Sequence, residues 1–359
     1  MITTINNKHN KLNVPNLRFK EFQGEWEYFL INDVCSEFKS GKNIKADSVF
    51  ECGEYPVYGG NGLRGYTSSY NHEGSYVLIG RQGALCGNVR SVYGKTYITE
   101  HAIAVAGNEK SNTNFLHYLF LKMNLGQYSD QSAQPGLAVN KLLKLKVALP
   151  IISEQTKIAK FLSLLDERIA TQSKIIEKMQ TLIKGIAHKV SKQGKPNIRL
   201  SECLLCTSST LQESDVAEVG AYPVYGANGI VGYLDTYNTT SEAIYIIKDG
   251  SGVGAVSCVK GKCSATGTLN ILQTKEGFSL RYLYFILKVF SFEPYKTGMA
   301  IPHIYFKDYG KAKIYCPSNQ LQCKYADLLS KIEQKATAEQ KILDNLCSQK
   351  QYLLCQMFI

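Results

Sequence analysis

From residue 158 onward, apolar side chains recur alternately four and three positions apart: Ile158, Leu162, Leu165, Ile169, Ile176, Met179, Ile183, Ile186 and Val190, with one polar member, Gln172. A heptad seam held this long predicts a single helix over residues 153–192. At about 1.5 Å per residue such a helix is roughly 55 Å long, more than one small domain needs, so the pattern asks for a partner helix. The C-terminal segment, 318–359, supplies it. Adding 167 to each seam position gives Tyr325, Leu329, Ile332, Ala336, Glu339, Leu343, Leu346, Lys350, Leu353 and Met357. The polar break at Gln172 falls on the polar break at Glu339, and one polar seam residue is a common device for fixing register. Because Glu339 and Lys350 both interrupt the second seam, its last turns are expected to be looser.

The offset of 167 runs through most of the chain. EYPVYGGNGLRGY at 54–66 returns as AYPVYGANGIVGY at 221–233, Gly83 maps to Gly250, Gly87 to Gly254, Thr99 to Thr266, Pro135 to Pro302 and Pro150 to Pro317. This is a tandem duplication of a globular domain followed by a long helix, a period too long for a short solenoid repeat. The expected organisation is a first domain over 1–152 with a loose arm at 1–20, a helix at 153–192, a second domain over 193–317 entered through Gly194-Lys195-Pro196, and a helix at 318–359. The fold class is mixed α/β (α+β), with the two long helices pairing as an antiparallel coiled coil. Gly59-Gly60 and Asn61-Gly62 are turn formers suited to positive φ; they fit either a tight hairpin with packed tyrosines or a backbone loop held close to a phosphate or groove. Residues 75–80 and 97–105 read as strands, with a basic, glycine-rich loop over 81–95 between them. Residues 114–122 and 279–288 read as short amphipathic helices. Ser153 with Glu154 is a candidate cap for the first long helix, and Gly185 inside that helix marks either close packing or a bend, at a cost of about 1 kcal/mol.

Composition changes this picture little. The chain has 359 residues, ordinary apolar content and no run of eighteen apolar residues, so no membrane partner or span is expected. The N-terminal MITTINNKHNKLNVP lacks a signal-peptide core, and a cytoplasmic location is expected. Eleven cysteines are scattered, with Cys316, Cys347 and Cys355 in apolar contexts, and read as reduced buried thiols. Cys203, Cys206, Cys258 and Cys263 have the spacing of a zinc site, but the first unit, whose cysteines are Cys35, Cys52 and Cys86, lacks counterparts; no metal is expected. Net charge is +11, and the excess sits in residues 1–150 (16 basic, 12 acidic) and 151–197 (9 basic, 4 acidic). Such a balance suits a polyanionic partner.

Catalytic signatures are missing from the sequence. It has no phosphate-binding loop, no dinucleotide fingerprint, and no Asn-Pro-Pro-aromatic or Asp-Pro-Pro-aromatic tetrapeptide. The six histidines show no metal-ligand spacing. Glu100-His101 is an acid–base pair in one copy only, replaced by Gly267-Thr268 in the other, and reads as structural. The chain reads as a binding and spacing device, not an enzyme alone, and no catalytic residues are expected in it. Its most informative stretch is RQGALCGNVRSVYGK at 81–95 against KDGSGVGAVSCVKGK at 248–262. The glycines recur while Arg81 becomes Lys248, Gln82 becomes Asp249 and Arg90 becomes Ser257. A kept frame with changed polar residues suits two copies that read different things; relaxed drift after duplication would look similar.

Tyr55-Pro56-Val57-Tyr58-Gly59, Ile79-Gly80-Arg81-Gln82-Gly83, Gln134-Pro135-Gly136-Leu137, and Leu149-Pro150-Ile151-Ile152-Ser153-Glu154-Gln155 leading into Ile158-Ala159 occur in that order. Together with the duplication they resemble the specificity (S) subunits of type I restriction-modification enzymes, over roughly residues 20–359. The resemblance implies two target-recognition domains, each reading half of a bipartite, asymmetric site in double-stranded DNA, on a spacer of two antiparallel helices. It also implies two methyltransferase (M) subunits and restriction (R) subunits as partners. S-adenosylmethionine, ATP and Mg would belong to those subunits, and this chain would carry no cofactor. The second unit departs from the motif, since Ser153-Glu154-Gln155 becomes Gln320-Leu321-Gln322. Candidate DNA-facing residues are Arg64, Tyr66, Arg81, Gln82, Arg90 and Lys95 in the first domain, and Tyr233, Lys248, Asp249, Ser251, Lys260 and Lys262 in the second. Arg and Gln suit bidentate base contacts, Asp accepts from a cytosine amine, and Lys meets phosphate. The competing expectation is a protein-interaction scaffold, or an inactive relative, that binds no DNA.

Overall fold

In a computed structural model of the chain, the residues described are 2–4, 13–130 and 135–359; part of the arm expected over 1–20, and Gln134, lie outside them. The chain divides into two compact units, Met1–Thr171 with Ile342–Ile359, and Gln172–Lys341, so each unit takes in part of both long helices.

The first unit is built on a six-stranded sheet in the order Cys35–Ser40, Ala102–Gly107, His72–Gly80, Val89–Ile98, Tyr55–Gly59, Gly62–Thr67. All neighbours are antiparallel except Tyr55–Gly59 and Val89–Ile98. The segment expected as one strand over 97–105 is two strands. A turn closed by Ala102 N donating to Thr99 O reverses the chain between them. The expected loop over 81–95 is a loop only to Asn88, because Val89–Ile98 is a strand paired with His72–Gly80; its burial of Val89, Val92 and Thr96 explains why. Arg90 and Lys95 therefore project from a strand.

One face of the sheet carries the helix Thr113–Met123. The Asn112 side chain caps it by accepting from the Asn114 and Phe115 N–H groups, and it ends at left-handed Asn124 (φ 49°). Phe115, Leu116, Leu119 and Phe120 enter one core with Trp26, Ile79, Ile103, Leu162 and Met357. Phe358 joins them, 5.1 Å from Phe115 and 6.3 Å from Trp26 between ring centroids. The last turns of the second long helix are thus firmly packed, contrary to the expectation from Lys350. That residue pairs with Asp166 at 2.5 Å and lies over the Tyr118 ring, so its charge is compensated where the seam enters the core.

The second unit repeats the strand order: Leu204–Ser208, Leu269–Thr274, Ala243–Ile247 and Val256–Val259 form one sheet, and Ser264–Ala265, Tyr222–Gly226 and Gly229–Leu234 another. The single strand Val89–Ile98 is here interrupted at residues 260–262. Both copies keep the same irregularity in the first hairpin, between Val57 and Tyr58 and between Val224 and Tyr225. The helix Leu280–Leu287, capped by the Ser279 hydroxyl, packs Tyr282, Leu283, Phe285 and Ile286 inward.

The long helices are Ile152–Ser191 and Asn319–Met357. Within the first unit, Ile158 and Leu162 share a core with Leu353 and Met357. Within the second, Gln172 Nε2 donates to Glu339 Oε2 (2.5 Å) and Tyr325 Oη donates to Gln193 Oε1 (2.6 Å). In each unit, residues earlier on one helix meet residues later on the other, an antiparallel pairing. Every position of both seams is buried or half-buried, whereas Leu164 and Leu182, off the seam, are exposed. A Cβ on Gly185 would meet no atom within 4 Å, so that glycine does not serve close packing. None of the helices among the described residues is long and apolar enough to cross a membrane.

The motif that opens each long helix has a structural explanation. Gln155 accepts from Asn112 N and donates to the Lys110 and Pro150 carbonyls; Gln322 accepts from Ser279 N and donates to the Pro317 carbonyl. The retained glutamine ties the start of each long helix to the cap of the short one. Glu154 does not cap: it is fully buried and takes two hydrogen bonds from Arg18 (2.8 and 2.7 Å). The thiols Cys35 and Cys203 are pushed up to about 12 by burial, and Cys206, Cys258 and Cys316 to about 11. Cys347 and Cys355, expected to be buried, are exposed, because they lie off the seam.

Candidate nucleic-acid interface

In the first unit the hairpin turn, the loop after Gly80 and the turn before Ala102 converge. They line a cleft of about 290 Å³ with Gly59, Gly60, Asn61, Arg64, Gln82, Gly83 and His101. Gly62 takes the positive φ (+104°), whereas Gly60 is required for a different reason: a Cβ there would lie 2.8 Å from the His101 carbonyl oxygen. The hairpin turn is thus both a tight turn and a backbone loop pressed against its neighbours. The Arg90 guanidinium lies over the same turn, close enough that a Cβ on Gly62 would meet its Cζ at 2.9 Å. Two sequence-predicted residues, Arg64 and Gln82, therefore line this concavity, and a third, Arg90, lies against its hairpin turn; all three are exposed. His101 joins them with Nε2 3.2 Å from Glu100 Oε1.

Backbone hydrogen bonds hold this frame. Arg81 N donates to His101 O, Leu137 N to Arg81 O, Gly83 N to Pro135 O and Gly87 N to Gly80 O. The second unit repeats each bond at the shifted position: Lys248 N to Thr268 O, Ile304 N to Lys248 O, Gly250 N to Pro302 O and Gly254 N to Ile247 O. The bridge Gln82–Gly136 likewise becomes Asp249–His303. Pro135-Gly136-Leu137 and its repeat are therefore the clamps that set the height of these loops. What changes is the side chains: Arg64, Gln82, Arg90 and His101 are replaced by Val231, Asp249, Ser257 and Thr268.

The remaining candidates lie elsewhere. Arg81, Lys248 and Asp249 are half-buried, and Ser251 is exposed on its loop. Tyr66 and Tyr233 pack beside Gly53 and Gly220, fixing the segment before each hairpin. Lys260 pairs with Glu242 at 3.5 Å. Lys95 sits 4.9 Å over the Tyr70 ring, and Lys262 sits 4.9 Å over Tyr237 and 5.8 Å over Tyr222. Tyr55 and Tyr70 are 5.0 Å apart between centroids, Tyr222 and Tyr237 4.9 Å. Sequence reasoning does not single out these four tyrosines, nor His101 as part of the cleft. Retention of Tyr55, Tyr70 and Lys95 at the offset of 167 is the signal that could have found the tyrosines.

The duplicated loop-bearing domain followed by a helix defines a class of protein, and comparison with known families identifies it. The family model described as the type I restriction modification DNA specificity domain matches residues 23–181 and again 203–347, and the chain belongs to this family. It is 42% identical over 154 residues to the type I restriction enzyme EcoprrI specificity subunit of Escherichia coli, covering 42% of this chain and 38% of that one. A putative type I specificity subunit of Mycoplasma genitalium is 24% identical over 91% of this chain and 92% of its own length. The chain thus spans under half the length of the Escherichia coli relative and nearly all of the second. Among solved structures, the S subunit of a type I restriction-modification system from M. genitalium superposes with a TM-score of 0.74 at 20% identity, over 96% of this chain and 99% of that one. The fold is therefore that of such S subunits.

Proposed function

We propose that this chain is the DNA specificity subunit of a type I restriction-modification system, reading a bipartite, asymmetric target with one half assigned to each unit. The observation that carries this reading is the pair of matched backbone frames with unmatched side chains: Arg64, Gln82, Arg90 and His101 against Val231, Asp249, Ser257 and Thr268. Arginine and glutamine side chains in a cleft suit guanine and adenine edges, and an aspartate suits the cytosine amine. Two methyltransferase subunits and the restriction subunits are the partners in this reading. Methyl transfer and ATP-dependent cleavage, with S-adenosylmethionine, ATP and Mg, belong to them. Methylome sequencing of a host carrying the cognate methyltransferase, with and without this chain, tests it. The expected result is a split, asymmetric adenine motif that disappears without the chain; no chain-dependent motif beside soluble chain and a competent methyltransferase would overturn it.

A further inference from the structure

We propose that Lys95 and its repeat Lys262, held over the tyrosine pairs Tyr55–Tyr70 and Tyr222–Tyr237, are phosphate-contacting posts that seat each unit on the duplex without reading its sequence. The inference rests on the DNA-reading assignment above and divides two duties within it. The base-reading candidates differ between the units, whereas this cluster recurs with the same three residue types and nearly the same geometry: tyrosine pairs at 5.0 and 4.9 Å, lysine over ring at 4.9 Å in both. A feature kept while its neighbours diverge serves what the two half-sites share. Two different DNA sequences share the phosphodiester backbone and little else.

The chemistry fits that duty. Among the described residues neither Lys95 nor Lys262 has a carboxylate within ion-pair distance, although Glu73 stands opposite Lys95 across the strand pair and Tyr55 Oη donates to Glu54, while Lys260, which is not repeated (Tyr93 stands at the corresponding position), is paired with Glu242. Both ammonium groups are exposed but held against ring faces, so a compact charge is kept in place before a phosphate arrives.

The test uses the full chain assembled with its methyltransferase subunits, binding a target duplex and an unrelated duplex across a KCl series. Lys95→Gln and Lys262→Gln are each expected to lower the slope of log affinity against log salt by about 0.9, to weaken both duplexes by the same factor, and to leave the methylated motif unchanged. Lys95→Arg and Lys262→Arg, which keep the charge, should restore the slope. An unchanged slope in the glutamine variants, with arginine and glutamine behaving alike, would reduce the cluster to surface packing. A motif altered in one half would make the lysine a base reader and overturn the division of duties. Absence of any salt-dependent binding or chain-dependent motif in the unmodified assembly would instead remove the DNA-reading assignment itself.

Discussion

The two cleft loops share a backbone and differ in what they leave unsatisfied. In the first unit, Thr99 is fully buried beside Gly59, and its hydroxyl has no hydrogen-bond partner among the described residues. In the second, its counterpart Thr266 shares a 2.8 Å hydrogen bond with Thr268, the residue that replaces His101. The first cleft is lined by long polar side chains over an unsatisfied hydroxyl. The second copy carries shorter side chains on the same frame, and one of them, Thr268, satisfies the buried Thr266 hydroxyl. Duplication preserved the parts that set loop height, namely the glycines at positive φ, the clamp at Pro135–Leu137 and the glutamine at each helix start. It released the parts that face outward.

The largest difference between the copies lies in the core and is the easiest to break. Arg18 and Glu154 form a buried pair in the first unit, where the second has Leu321. Glu154→Leu, which imports the second unit's residue, removes the carboxylate that neutralises the buried Arg18 guanidinium, leaving it the Gly24 and Gln23 carbonyls, and is expected to destabilise the fold by about 3–5 kcal/mol. The double variant Arg18→Met/Glu154→Leu should recover most of that loss. Urea unfolding of the three proteins checks both statements, and a Glu154→Leu protein as stable as the parent would show that the Arg18 charge finds water.

A second contrast concerns pH. His117 is packed against Tyr118, and Tyr284 stands at its position in the second unit. Burial, and then the nearby Lys350, lower the pKa of His117 to about 4, with Asp166 acting weakly the other way. The unfolded chain binds this proton near pH 6.5 and the folded chain does not until about pH 4. The stability from this site is therefore complete above about pH 6.5, and falls as the pH drops toward 4, by up to about 3 kcal/mol. His117→Phe should flatten that part of the stability–pH curve. A curve of unchanged slope between pH 6.5 and 4 would place the titration elsewhere.

The clefts themselves come next. Arg64→Val and Gln82→Asp convert the first unit's side chains to those of the second on an unchanged backbone. Removing a side chain that reads a base should cost about 1–3 kcal/mol in binding and relax or change one position of one half-site, leaving the other half intact. Methylome sequencing reads this directly, and an unaltered motif in both variants would take these residues out of base reading.

Much of this architecture was legible in the chain, and the reasons are physical. The heptad seam and the offset of 167 carry the long helices and the duplication, because a repeated core needs apolar residues at repeated positions. The cleft was half legible: Arg64, Gln82 and Arg90 stand out as polar residues among glycines, but their convergence with His101 depends on a chain reversal at Thr99–Ala102 that no local signal marks. The role of Lys350 was hidden because a charge in a seam looks disruptive until its partner is known; Asp166 lies 184 residues away in sequence. Glu154 looked like a cap because capping is local, whereas its actual partner Arg18 comes from a distant segment.

The smallest expected effect separates a solvated charge from a working one. Lys260 was a candidate for DNA contact, but its ammonium lies 3.5 Å from Glu242, which Arg281 also approaches at 3.6 Å. The lysine is exposed, so the pair contributes at most about 1 kcal/mol. Lys260→Tyr imports the residue at the first unit's corresponding position, Tyr93, and leaves Glu242 with its arginine. Stability should change by less than about 1 kcal/mol and the methylated motif not at all. The salt slope should fall by clearly less than for Lys262→Gln, since a charge already neutralised by a carboxylate releases fewer counterions on meeting a phosphate. A slope change equal to that of Lys262→Gln would mean that Lys260 leaves Glu242 when DNA binds, and would make the interrupted strand at residues 260–262 a two-lysine contact with no equivalent in the first unit.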